Sequence, residues 1–409
     1  MNILFVTWDG PQVNYLESLF APIFARLHAT HGMRFHVLQF TWADAARTAR
    51  TQAACAALGV GYQSVPVQRW PRSIGALATV VRGIRTIRAA NRALCIDVVM
   101  PRSTFPGLSV LLGGAGGRPV AYDADGLALD ERVDFAGESA GSLQQRLLRE
   151  AEALLVRRAA VVTTRTGFAA QVLRARAGAD TPASRFHVVA NGRDASRFQP
   201  LDAQARAQAR ARLGIAIDAP LVAYAGSIGP QYRPETMFRW FGAVQRRRAD
   251  ARMLVLTPQD RDARELLAQS GLAAGLVTVQ SMDTDGVAAS LACADVGLAL
   301  REPTFSMGGV APIKLGEYLL CGLPVGATAG VGDTGDMTPE VAFLLDGDPS
   351  RAEARAVDWF VDSVLPDREG FRARCRAFGV ARFSLDACVD AYARALQSIV
   401  PVRGAGDVR

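Results

Sequence analysis

Residues Arg301 to Val325 read REPTFSMGGVAPIKLGEYLLCGLPV, directly after the apolar run Val296 to Leu300. That run has the length and character of a buried parallel strand. A loop containing Gly308 and Gly309 follows, and a helix opens with Pro312 near its first position, where a missing N–H costs little. A glycine loop feeding a helix start leaves backbone N–H groups unpaired at the positive end of the helix dipole. A diphosphate is the natural occupant of such a place. One turn into the helix stand Lys314 and Glu317, on adjacent faces. Two readings of this pair are open. In one, Lys314 adds a cation to the phosphates and Glu317 accepts hydrogen bonds from ribose hydroxyls. In the other, the two form an ordinary salt bridge on a solvated helix.

The same strand-and-helix rhythm extends in both directions. Leu221 to Ala225 reads as a strand ending in Gly226, with a helix from about Pro234 to Gln245. Further strands read at Met253–Thr257, Val277–Gln280 and Pro324–Ala327. Upstream, Asn2–Thr7 is an apolar strand, followed by a Gly/Pro loop and a helix over Asn14–Thr30. Strands at Phe35–Phe40, Val98–Met100, Val120–Tyr122, Val161–Thr164 and His187–Ala190 then alternate with helical stretches. Alternating βαβα units predict doubly wound parallel sheets. The rhythm restarts after Asn191 to Gln199, so two α/β units in series are expected, and 409 residues suffice for two cores of about 200 each.

Composition sets outer limits. Half of the residues are apolar and 21% are charged, the balance of a globular protein. A net charge of +7 fits nucleic acid, an anionic membrane surface or phosphorylated substrates without choosing among them. The arginines are thinly spread with no aromatic platform beside them, which speaks against nucleic acid. Cysteines at 55, 95, 293, 321, 375 and 388 form no CxxC pair, and the four histidines form no ligand pattern, so neither a zinc site nor a disulfide frame is expected. The N-terminus lacks the features of a signal peptide, and no stretch approaches the roughly 18 apolar residues that span a bilayer. A cytoplasmic protein, soluble or peripheral on the membrane's inner face, is expected. Lys314 is the only lysine in the chain. Every other strong base is arginine, which marks this one for a specific task.

The 301–325 stretch resembles the donor-binding signature of glycosyltransferase family 4 and its retaining GT-B relatives, in particular the bacterial polysaccharide branch that reads S…P-x-K-x-x-E-Y-x-x-x-G-x-P-V. Ser306, Pro312, Lys314, Glu317, Tyr318, Gly322, Pro324 and Val325 carry the match. Relatives commonly place a second glutamate eight positions before Glu317; here Gly309 stands there. AYAGSIGPQYRPETM (Ala223–Met237) resembles the strand-loop-helix that opens the second domain, with Ser227 where relatives carry Arg and Arg233 near their Lys. VVANGRDASRFQP (Val188–Pro200) resembles the seam segment V-x-N-G-V-D-x-x-x-F, and Ala381–Leu396 the closing helix that crosses back to the first domain. The resemblance implies two Rossmann-like domains facing a cleft: 1–195 on the acceptor side, 196–384 for the nucleotide sugar, and 385–409 as closing helix plus tail. It implies a retaining transfer from a nucleotide diphosphate sugar to a glycan or lipid-linked acceptor, without metal or other cofactor. Arg233 and Lys314 would neutralise the leaving diphosphate. Gly226, Ser227, Ser306, Gly308, Gly309, Val310, Ala311 and Glu317 would hold the donor.

In the first domain, the resemblance places Asp9 and Gly10 against the donor. It places Asp123, Asp125 and Gly126 in an acceptor-side loop, after the strand near residue 120. Asp125 either activates or orients the acceptor, or caps the following helix. Arg102 either faces an acceptor phosphate or lies on the surface. Asp283–Asp285 mimics a metal-binding DxD but opens a helix, where capping explains it. The glycines at 113–117 precede a strand, the wrong side for a dinucleotide fingerprint. Gly330–Asp336 fits either the family's loop near the phosphates or simple turn chemistry.

Arg69–Leu94 places Ile74, Leu77, Val81, Ile84, Ile87 and Leu94 at helical spacing, a stripe expected to face the core. Arg85, Arg88, Arg92 and Trp70 are then candidates for contact with anionic lipid. Two rivals to a transferase are a GT-B-fold nucleotide-sugar epimerase, which would need no acceptor, and a catalytically silent scaffold, which Gly309 keeps open.

Overall fold

The computed structural model describes residues 1–68, 72–273, 275–332 and 334–399; Arg69, Trp70 and the tail from Val402 lie outside these. The chain divides into two compact units. One comprises Met1–Val189 together with the segment from Cys388, the other Ala190–Ala387.

In the first unit, β1 (Asn2–Asp9), β2 (Arg34–Thr41), β3 (Gly61–Pro66) and β4 (Val98–Pro101) run parallel in the order β3-β2-β1-β4. β5 (Ala121–Asp125), β6 (Val161–Thr164) and β7 (Phe186–Val188) form a parallel sheet in sequence order. Single parallel bridges, Val99 to Val120 and Arg102 to Asp123, carry β4 on to β5. The order of connection reverses between β1 and β4. At such a switch point the two following loops part on opposite faces and open a crevice beyond the strands' carboxyl ends.

The second unit repeats the design. β8 (Leu221–Ala225), β9 (Arg252–Leu256), β10 (Val277–Gln280), β11 (Val296–Ala299), β12 (Val325–Thr328) and β13 (Ala342–Leu345) run parallel in the order β10-β9-β8-β11-β12-β13. The apolar runs explain the layering. Leu221, Ala223 and Ala225 enter one core with Leu315, Tyr318 and Leu319, while Val222 and Tyr224 enter the opposite core with Phe238, Trp240 and Phe241. Both faces of the sheet are covered by helices, as parallel sheets require. The switch point here lies between β8 and β11.

One helix departs in part from expectation: Ile87 is buried and Ile84 half-buried as the stripe required, but Leu77, Val81 and Leu94 are not. Leu77 is 61% exposed and Val81 52%, whereas Val80, Ile87 and Ala90 are buried. The buried face is the one that lets another helix come close. A Cβ at Gly83 would stand 2.7 Å from the Ser109 Oγ of the helix Thr104–Ser109. Its polar members donate in place, Thr79 to the Gly75 carbonyl and Asn91 Nδ2 to that of Gly114. Close approach and these hydrogen bonds outweigh the larger apolar stripe.

Candidate functional site

β8 and β11 stay paired only at Val296–Val222 and Gly297–Ala223, then part. Tyr318, fully buried on the helix Ile313–Leu320, closes the gap with its hydroxyl. The oxygen accepts from the Ala225 N–H at 2.8 Å, and the hydroxyl donates to the Leu298 carbonyl at 3.2 Å. The ring lies so close to β11 that a Cβ at Gly297 would stand 2.5 Å from it. This tyrosine fixes the parting of the strands and thereby the place of the two loops that follow them.

Into that parting comes Lys314, only 8% exposed. Its Nζ stands 3.9 Å from the ring centre of Tyr224 and 5.1 Å from that of Tyr232, and among the described residues it has no hydrogen-bond partner. Gly226, at φ +137°, lets the backbone pass close by: a Cβ there would meet the Lys314 Nζ at 2.9 Å. Burial, and after it the Arg301 guanidinium, pull the Lys314 pKa down to about 7 against the opposite pull of Glu317. The expected alternative, a solvated Lys314–Glu317 salt bridge, does not form. Glu317 instead meets the Arg193 guanidinium at 2.7 Å. Burial raises the Glu317 pKa, while Arg193 and Lys314 hold it down in part.

The loops supply the rest. Arg233 sits at the start of the helix Pro234–Arg247 in a left-handed conformation, φ 50°, which an arginine rarely adopts. Its guanidinium lies 3.7 Å from the Glu302 carboxylate, and the Glu302 N–H donates to Gln231, tying the loop after β8 to the loop after β11. Ser227 presents its carbonyl to the Tyr224 hydroxyl. Ser306, Gly308 and Gly309 are buried in a tight turn; Val310 follows in extended backbone, and the Ala311 carbonyl accepts from Asn191 at 2.8 Å. Gly332 packs on this turn, its N–H donating to the Met307 carbonyl. Gly226, Ser227, Arg233, Ser306 to Ala311, Lys314 and Glu317 thus all belong to the carboxyl-end loops and helix starts of one sheet.

In the first unit, Asp9 ends β1 and accepts from Thr7 at 2.6 Å and from Gln39 at 3.3 Å. Gly10 makes room for Trp42, whose ring a Cβ would meet at 2.6 Å. The acceptor-side expectations change here. Asp123 and Asp125 lie within β5, not in the loop after it. Asp123 is fully buried between Arg102, Arg165 and Thr163 and is closed to an acceptor. Arg102 is neither a surface residue nor free for a phosphate: it is buried and pairs with both Asp123 and Asp125. Nor does Asp125 cap the next helix, which begins after Leu127 with no side-chain cap. Asp125 has φ 64°, and its side chain remains 38% exposed. Burial would raise its pKa, but Arg102 and Arg165 outweigh burial and hold the carboxyl below its ordinary value. Asp283 does cap its helix, accepting from the Gly286 N–H.

Sequence reasoning missed Arg193, Tyr224, Tyr232 and Arg301. Arg193 carried a signal, since it stands where the seam segment of relatives has an apolar residue. The other three carried none, because only the fold brings them to Lys314.

Two layered α/β units, each with its crevice at a strand-order reversal, define the GT-B class of fold. Solved structures agree. The Anabaena protein HepE in complex with UDP superposes with a TM-score of 0.72 over 98% of this chain and 100% of that one, at 16% identity. Sucrose-phosphate synthase from Thermosynechococcus elongatus gives 0.67 over 96% and 98%, at 15% identity. Residues 22–192 match the glycosyl transferase 4-like domain. A D-inositol 3-phosphate glycosyltransferase of Xylanimonas cellulosilytica is 30% identical over 294 residues, 68% of this chain; the chain spans 66% of that relative's length. Residues 22–192 thus resemble a glycosyl transferase 4-like domain, and the fold of the whole chain is that of GT-B proteins.

Proposed function

We propose that the protein is a retaining glycosyltransferase that moves a sugar from a nucleotide diphosphate donor to a glycan or lipid-linked acceptor in cell-surface polysaccharide synthesis. The observation that carries this reading is the buried Lys314 ammonium, without a hydrogen-bond partner among the described residues and set beside two tyrosines at the strand-order reversal. A buried cation without a counter-ion costs free energy; an arriving diphosphate offsets that cost. Cleavage of the sugar–phosphate bond puts negative charge on the diphosphate. Lys314, Arg233 and the helix start near Ala311 stabilise that charge from fixed positions, so no metal is needed. Glu317, oriented by Arg193, accepts from the ribose. Asp125, held ionised by two arginines, is a weak base and serves to orient the acceptor hydroxyl. The leaving phosphate takes the acceptor's proton. Support comes from the names and folds of the matched proteins, and from HepE having been crystallised with UDP.

Among the described residues no helix is long and apolar enough to cross a membrane. The helix Arg72–Ala93 nonetheless contains no acidic residue and exposes Leu77, Val81, Arg85, Arg88 and Arg92, spaced four, four, three and four apart. We assign this face to an anionic membrane surface, where lipid-linked acceptors reside.

The test is sugar transfer from labelled nucleotide sugars, with and without acceptor and with chelator present. Lys314→Ala or Arg233→Ala costs roughly 100-fold in rate if each is a preorganised charge stabiliser. Losses of tenfold or less at both positions contradict the assignment. Conversion of the donor without any acceptor would indicate an epimerase instead.

A further inference from the structure

Arg301 follows β11 directly and shares its aromatic neighbour with Lys314. Its guanidinium carbon stands 4.9 Å from the centre of the Tyr232 ring, to which the Lys314 Nζ is 5.1 Å. Its backbone is anchored where the N–H donates to Thr328 Oγ1 at 3.1 Å. The guanidinium is poorly satisfied. Nη1 reaches only the Met307 sulfur, at 3.5 Å, and Nε is buried without a hydrogen-bond partner. Among the described residues Arg301 makes no ion pair with a carboxylate; the nearby Glu302 pairs with Arg233 and Glu317 with Arg193. Two cations therefore converge on one tyrosine with no acid assigned to either. Like charges half out of water repel, and an anion bound beside both relieves that repulsion, a multiply charged one most. On the facing loop, Ser227 contributes no charge.

We propose that Arg301 is a third cation of the diphosphate site, acting with Lys314 and Arg233 on the leaving phosphates. This rests on the donor-site reading above. The guanidinium supplies a planar fork of donors, which suits two phosphate oxygens at once. In the empty site it also repels the Lys314 ammonium. Of the other groups facing that ammonium, Glu317 attracts it, and Tyr224 and Tyr232 offer only their rings.

Calorimetric titration of UDP, GDP and ADP in parallel, each beside its monophosphate, tests the proposal on wild type, Arg301→Gln, Arg301→Lys and Lys314→Met. Arg301→Gln should weaken the bound diphosphate about 10-fold or more, as expected for loss of a charge-assisted pair, and the monophosphate far less. It should also raise the pH above which affinity declines, because Lys314 loses a repelling neighbour. That shift follows from the Arg301 charge alone, so the loss of diphosphate affinity beyond that of the monophosphate, measured at pH 6 where Lys314 is charged, carries the test. If Arg301→Gln does not fold, Arg301→Lys carries the test: it keeps the charge but not the fork, and a loss of about fivefold is expected. Unchanged diphosphate affinity at pH 6 in the Arg301 variants, alongside lost binding in Lys314→Met, overturns the proposal and leaves the donor site standing. Failure of all three diphosphates to bind wild type, or indifference of binding to Lys314 as well, overturns both.

Discussion

At residue 314, burial and ligand chemistry act on the same proton. The free protein releases it near pH 7, because burial and Arg301 disfavour the ammonium. A bound diphosphate favours the ammonium, so the complex retains the proton to higher pH. Above about pH 7 binding is accompanied by proton uptake, and affinity should fall, at most about tenfold per pH unit. Below pH 7 Lys314 is charged in both states and its contribution levels off. Titrations between pH 6 and 9 check this, and in Lys314→Met the slope should vanish. Arg233 permits a different test, since its left-handed backbone is a strained state for any residue except glycine. Arg233→Gly and Arg233→Ala both remove the guanidinium. Arg233→Gly should nevertheless be the more stable in urea, by about 1 kcal/mol. Equal unfolding midpoints would show that the conformation carries no strain.

At the level of elements, the opening between β8 and β11 depends on one hydroxyl. Tyr318→Phe keeps the ring against Gly297 but removes the partner of the Ala225 N–H and the Leu298 carbonyl. The expected cost is about 1–3 kcal/mol of stability in chemical denaturation. A change below a few tenths would mean that the strands close the gap themselves. The helix Arg72–Ala93 carries the second test. Flotation with anionic liposomes should recover wild type, and changing Arg85, Arg88 and Arg92 to Glu should abolish it. Undiminished binding removes this helix from the membrane reading. The same helix shows where sequence reading stops. Periodicity identified a helix, yet the choice of buried face turned on Gly83, Thr79 and Asn91, whose value lies in close approach and hydrogen bonds that hydropathy does not register.

Over the whole molecule, two parallel sheets were legible because continuous apolar runs punctuated by glycine leave few alternatives. Ala342–Leu345 was not read as a strand, being a short edge strand next to a turn-rich stretch. The grouping of residues around Lys314 was legible wherever it follows chain order, as in Gly226, Ser306 to Ala311 and Glu317. The place of Arg301 and Tyr232 beside Lys314 was not, because it arises from contacts between loops far apart in sequence. Asp123 and Arg102 were misread because a carboxylate or guanidinium at a strand's end looks the same in sequence whether it faces a substrate or a buried counter-ion.

The central claim is that a nucleoside diphosphate sits against Lys314 where β8 and β11 part. Thermal unfolding of wild type and Lys314→Ala with UDP, GDP, ADP and CMP tests it most directly. At 100 times its dissociation constant a ligand adds about 2.7 kcal/mol to stability. One of the diphosphates should therefore raise the wild-type midpoint by several degrees, while leaving Lys314→Ala where it was. An equal rise in both proteins, or none with any nucleotide, would contradict the account.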